Sequence, residues 1–321
     1  MDSDIINNHT KEKKVRILQP KNDVVFQALF TRGKESITKA LLEDILKVKI
    51  KKLDLDKSKD LLNDNKFDKN GRIDLRAVLN DEVECDVEIQ LRVHEKMAER
   101  FLFYWSKMYA SSLKEGDYYT KLKKTISIII VGERIKELEN IEKAHTKWQI
   151  REEENVQIIL TDFLELHIIE LPKALEEYYK NPFDEVLQWM MFLDNPEDVE
   201  VTKIMSENED IKEAKNELDK ISRDDLLRRM ALKAEIMRMD QHEFEEEAKA
   251  KGLAAGLAEG RKKGLEEGRK KGREEGREEG REEGKNETQK SIAKKLLMRG
   301  FTIDEIAQIT ELDVEEIRKL N

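Results

Sequence analysis

Cys85 stands alone in the chain, which excludes an intramolecular disulfide and a thiol-based zinc site. Aromatic residues are scarce, at 6%. No apolar run approaches the ~18 residues that mark a membrane-spanning helix. The opening segment MDSDIINNHTKEKK has no apolar signal core. The expectation is a soluble, cytoplasmic protein with no membrane partner. The five histidines, at positions 9, 94, 145, 167 and 242, show no ligand-like spacing, which argues against a histidine metal site.

Charge is what the chain has in excess. Charged residues make up 40% of it, against roughly 25% in ordinary globular proteins. Part of the chain therefore reads as solvated helix. The 38% of hydrophobic residues still suffice for one sizeable core in 321 residues. The net charge of −10 is unevenly spread: +3 over 1–140, −14 over 141–250 and +1 over 251–321. A mildly basic N-terminal part is compatible with an anionic partner.

Residues 1–14 are polar and read as a disordered tail. Pro20-Lys21-Asn22-Asp23 precedes helical spacing at Val24, Val25, Phe26, Leu29 and Phe30, and Ile37 to Leu46 forms a second helical segment. Residues 54–70 are rich in Asp, Asn and Lys and read as a loop. Residues 95–115 read as an aromatic-rich helix, 125–131 as a buried strand, and 155–170 as a further strand and loop. Acidic helices follow over 173–250.

Residues 72–92 carry a hairpin pattern. Ile73 to Leu79 and Val83 to Leu91 alternate apolar with polar around a turn at Asn80-Asp81-Glu82. A turn centred on Asp81 makes paired positions sum to 162. Asp74 then faces Glu88 on one side of the ribbon, where directly opposed Cβ atoms lie about 4.5–5.5 Å apart. Two carboxylates at that distance repel, and a divalent cation between them reverses the sign. Hard oxygen donors suit Mg²⁺, or Mn²⁺, and such an ion polarises a phosphodiester and activates water. The plainer alternative is a solvated strand face, with Asp86 opposite Arg76 as an ordinary cross-strand pair.

In order along the chain come Pro20-Lys21-Asn22-Asp23-x-x-Phe26, Ile73-Asp74, Val87-Glu88-Ile89-Gln90, Arg100-x-x-x-Tyr104-x-Ser106-Lys107, Gly116-x-x-Tyr119 and Ile126-x-Ile128. This succession resembles the recombination-promoting nuclease/putative transposase (Rpn) family of the PD-(D/E)XK nuclease superfamily, over roughly residues 17–200. The resemblance implies an α/β, restriction-endonuclease-like core: a mixed sheet flanked by helices, followed by helical C-terminal appendages. It implies Asp74 and Glu88 as metal ligands and catalytic acids. Gln90 falls where most of the superfamily has Lys; it can position a water but supplies no charge. Lys107 or Arg100 is the candidate source of that charge. Asp23 looks like the acidic residue of the family's first helix, either joining the metal shell or capping the helix. Arg100, Tyr104 and Lys107 share a helical face and read either as phosphate contacts or as salt bridge and packing. Trp105 and Phe101 read as core.

Glycine recurs every fourth residue from Gly252 to Gly284, nine times in all. Nine glycines at about 0.8–1.0 kcal/mol each against alanine disfavour an isolated helix. Pairs such as Glu274–Arg277 and Glu278–Arg281 recover a few tenths each. The segment reads as a flexible spacer in preference to a helix stabilised by self-association. Beyond it, Ser291–Arg299, Gly300 as a stop, and Thr302 with Glu305 in a capping box lead to a helix-turn-helix-like tail. Its last helix, Val314 to Arg318, is acidic, whereas base readers present Arg, Lys, Asn or Gln. A partner-binding or dimerising helical pair, giving a homo-oligomer, fits better.

The sequence thus points to a disordered tail (1–14), a nuclease-like domain (15–200), an acidic helical segment (201–250), the glycine spacer (251–287) and the tail (288–321). The activity expected is Mg²⁺-dependent cleavage of double-stranded DNA. The rival is a non-catalytic interaction protein that retains the nuclease fold.

Overall fold

Asn22 opens the first helix, its side chain accepting from the Val24 amide and so satisfying a donor that a helix start leaves orphaned. The computed structural model describes residues 15–56, 75–93 and 96–320. From that cap the chain runs through α1 (Asp23–Gln27) and a π-helical turn (Ala28–Arg32) into α2 (Glu35–Leu46). Val25, Phe26, Leu29 and Phe30 are all buried, as their spacing requires.

β1 (Leu53–Leu55), β2 (Leu75–Leu79) and β3 (Val83–Gln90) pair antiparallel. β1 corrects the expectation of an uninterrupted loop from residue 54: Leu53 and Leu55 turn inward and Asp54 outward. After α3 (Met97–Ser111), β4 (Lys124–Val131) pairs parallel with β3. β5 (His145–Arg151) lies antiparallel to β6 (Ile159–Glu170), which pairs parallel with β4. The result is a six-stranded mixed sheet in the order β1-β2-β3-β4-β6-β5.

The hairpin register is the one derived from the turn: Leu75 pairs with Val87, Arg76 with Asp86 and Leu79 with Val83, each pair summing to 162. Asn80 and Asp81 take positive φ, at 51° and 66°, a region these two residue types tolerate better than most. Asp74 lies outside the described residues.

Neighbouring strands share faces at paired positions. One face carries Leu75, Ala77, Cys85, Val87, Ile126, Ile128 and Ile130, packed in one cluster with Phe26, Leu41 and Trp189. Burial among these side chains pushes the Cys85 thiol pKa up, leaving a small inert hydrophobe. The opposite face carries Glu84, Asp86, Glu88 and Ser127 at its centre. Toward β6 it turns apolar, where Ile129, Val131 and Ile168 pack with Met97 and Phe101 of α3.

α4 (Leu171–Tyr178), α5 (Glu185–Asp194), α6 (Val199–Glu207) and α7 (Glu209–Ile221) follow the sheet. α8 spans Asp225–Leu297. The glycine segment is therefore helical, which corrects the flexible-spacer expectation. An added Cβ at any glycine from Gly252 to Gly284 meets nothing within 4 Å. Ion pairs one turn apart, such as Glu259–Lys263 at 2.8 Å, line this helix.

The chain divides into two compact units between Met239 and Asp240. In the second, Gly300 takes φ 88° and ends the helical run. Thr302 and Glu305 form the expected capping box of α9 (Ile303–Thr310), and α10 (Val314–Arg318) follows. Ala293, Ile306, Leu312 and Ile317 make a small core there. Among the described residues no helix is long and apolar enough to cross a membrane.

Candidate active site

β3 presents three carboxylates on one face, Glu84, Asp86 and Glu88, and all three are buried, at 9%, 3% and 6% exposure. This overturns the reading of a solvated strand face. Alternation decides which side chains share a face but not what packs there; α3 reaches this face, its Arg100 meeting Glu88. Phe101 is buried and the Trp105 indole donates to the Thr125 carbonyl at 2.9 Å, so α3 is fastened to β4 across the sheet.

Each acid has a different partner. Arg76 is Asp86's register neighbour, yet its guanidinium goes to Glu84, with Nη2 at 2.9 Å and Nε at 3.3 Å from one oxygen. The expected Asp86–Arg76 pair is therefore a diagonal Glu84–Arg76 pair. Asp86 instead accepts a hydrogen bond from the Ser127 hydroxyl on β4. Burial raises its pKa to about 7; the Ser127 bond opposes that rise and repulsion from Glu88 adds to it. Glu88 meets Arg100 of α3 through one long contact, Nη2 to Oε1 at 3.4 Å. Burial pushes its pKa upward against the pull of that guanidinium.

The remaining sequence-derived residues divide. The Arg100 guanidinium lies over the Tyr104 ring at 5.4 Å. Lys107 is exposed, its ammonium over Phe103 at 5.4 Å, so its recorded aromatic partner is not the one Arg100 uses. Gln90 ends β3, paired with Val131 and half-buried. Asn22, not Asp23, caps α1. Asp23 sits in the first turn, where an acid suits the helix dipole, with Arg238 of α8 at 3.7 Å. Asp74 cannot be placed, being outside the described residues.

A further cluster went unrecognised in the sequence. His145 and His167, 22 residues apart, meet through their ring nitrogens at 2.8 Å, and His167 bonds Glu165 at 2.8 Å. Lys124 and Lys147 also reach Glu165, at 2.8 and 2.7 Å. Burial raises the Glu165 pKa, but these three partners outweigh it and hold the carboxyl well below its usual range. The antiparallel β5–β6 pairing makes this cluster. The only signal available was the alternation of Thr146, Trp148 and Ile150, which marks β5 as a strand.

Among the described residues no group of three His, Cys, Asp or Glu side chains is arranged to hold a metal ion. Glu88 nevertheless fits a hard cation in part. It is a buried oxygen donor whose compensation among the described residues is one long guanidinium contact, and an uncompensated buried carboxylate is costly. The donor type suits Mg²⁺ or Mn²⁺ rather than a soft metal.

No curated protein and no solved structure matches the chain. The family model described as PD-(D/E)XK nuclease family transposase matches residues 20–248, a span that holds the whole sheet and its acidic strand, and the chain belongs to that family.

Proposed function

We propose that the chain is a metal-dependent endonuclease of double-stranded DNA, with Asp74 and Glu88 as the residues that hold Mg²⁺ or Mn²⁺. The observation that carries this reading is the buried carboxylate of Glu88 on the central hairpin of a PD-(D/E)XK family member. The described pairs keep the 162 register from which the sequence pattern derives an Asp74–Glu88 pair, and this supports the reading.

A bound Mg²⁺ supplies polarisation of the phosphodiester and a more acidic water. The chain's own residues do the rest. The Gln90 amide orients the attacking water, and Arg100 and Lys107 contact phosphate oxygens. Tyr104 supports the plane of the Arg100 guanidinium. Asp86 was not singled out as a site residue from the sequence. In the metal-free fold burial brings its pKa to about 7, a range suited to taking up or releasing a proton on this face. Asp23, whose carboxylate faces Arg238, takes no ligand role.

The test is nicking of supercoiled plasmid with and without millimolar Mg²⁺ or Mn²⁺, paired with thermal melting under the same conditions. A ligand that binds only the native state raises its stability. Nicking and a metal-dependent rise in melting temperature support the nuclease. Neither effect in a folded sample favours the rival, a non-catalytic interaction protein. Oligomerisation through the C-terminal helices belongs to the same proposal and is checked by sedimentation.

A further inference from the structure

The two guanidinium–carboxylate pairs on β3 are built differently. Arg76 grips Glu84 with two nitrogens on one oxygen, at 2.9 and 3.3 Å. Arg100 touches Glu88 with a single nitrogen at 3.4 Å. Its Nε is buried and has no hydrogen-bond partner among the described residues. The first arrangement has the character of a charge-assisted fork. The second is loose, and it leaves a costly orphan donor.

We propose that Arg100 is a placeholder cation. It neutralises Glu88 while no metal is bound, a divalent ion displaces it from that carboxylate, and the freed guanidinium turns to a DNA phosphate. This rests on the reading of Glu88 as a metal ligand. Three features support it. The Arg100 side chain is 36% exposed while that of Glu88 is 8% exposed, so the arginine borders open solvent and the carboxylate is enclosed. Tyr104, one helical turn further along α3, offers its ring to the guanidinium at 5.4 Å and gives it a rest that does not depend on Glu88. A dication and a guanidinium on one carboxylate repel each other, so metal entry and Arg100 release are one event.

The orphaned Nε gains a purpose in this account. A phosphate accepts two parallel N–H bonds from an arginine fork, so release from Glu88 lets Arg100 satisfy a donor that stays unmet in its resting position.

The experiment is calorimetric titration of Mn²⁺ alone into the full chain and into Arg100→Gln and Arg100→Lys, with Glu88→Gln as the metal-site control. Competition by a pair held through one long contact and worth about 1 kcal/mol corresponds to about fivefold in affinity. Arg100→Gln is expected to bind Mn²⁺ about fivefold more tightly than the parent, and Arg100→Lys to fall back toward the parent because it keeps a cation. Unchanged or weaker binding by a folded Arg100→Gln overturns the placeholder while leaving the metal site intact. No binding by any form, the parent included, overturns the metal reading itself. In the parent, Mg²⁺ is also expected to shift the Arg100 Nε–H resonance, a readout that needs no variant. A resonance that stays put while Mg²⁺ binds overturns the proposal.

Discussion

Asp86→Asn is expected to stabilise the metal-free protein at neutral and alkaline pH, and by an amount that depends on pH in a defined way. The folded structure raises the Asp86 pKa from 3.8 to about 7. A group whose folded value lies above its unfolded one contributes full stability below the unfolded value and loses it as pH climbs through the folded one. Each unit is worth about 1.36 kcal/mol, so the metal-free protein loses about 4 kcal/mol between pH 4 and pH 8 through this group. Asparagine keeps an Oδ1 acceptor for the Ser127 hydroxyl and carries no charge to desolvate. The variant should match the parent near pH 4 and exceed it by up to about 4 kcal/mol at pH 8, or roughly 10 °C in melting temperature. The assay is urea unfolding in EDTA, followed by tryptophan fluorescence at several pH values. Parallel pH profiles for the two proteins would refute the claim that this face holds an under-compensated buried acid.

His145 provides a second pH effect of opposite direction. Burial, with His167 beside it, lowers its pKa from 6.5 to about 4, so its stability contribution is present above pH 6.5 and lost as pH falls toward 4, about 3 kcal/mol in all; proton NMR should find an imidazole midpoint near 4, and a midpoint near 6.5 would contradict the burial described. On α8, Gly268→Ala with Gly272→Ala introduces Cβ atoms that meet nothing within 4 Å and should raise helix stability by about 1 kcal/mol per site, read by circular dichroism of the full chain during melting; a loss of helicity would show that the backbone needs those glycines for close approach.

The hairpin was legible because strand period and turn length together fix register, and Asn80-Asp81 advertise the turn. The cover over its acidic face was not. Alternation marks Glu84, Asp86 and Glu88 as one set, but their burial depends on what packs over the sheet, which period alone does not carry. Arg76 illustrates a second limit. Register put it beside Asp86, while the length of its side chain let it choose Glu84. Strand β5 escaped notice because its side chains are half-buried or exposed, with no buried apolar set to mark them. His145 and His167 escaped with it. The glycine segment reads as a spacer because nine glycine penalties outweigh the few tenths that each charge pair returns, yet it is helical, with ion pairs one turn apart such as Glu259–Lys263.

The central claim is that Asp74 and Glu88 form a metal-dependent nuclease site. Plasmid nicking by the parent and by Asp74→Ala/Glu88→Ala, with Mg²⁺ or Mn²⁺ and with EDTA, tests it most directly. The account predicts metal-dependent nicking by the parent and none by the double variant, which still folds; cleavage that survives loss of both carboxylates would contradict it.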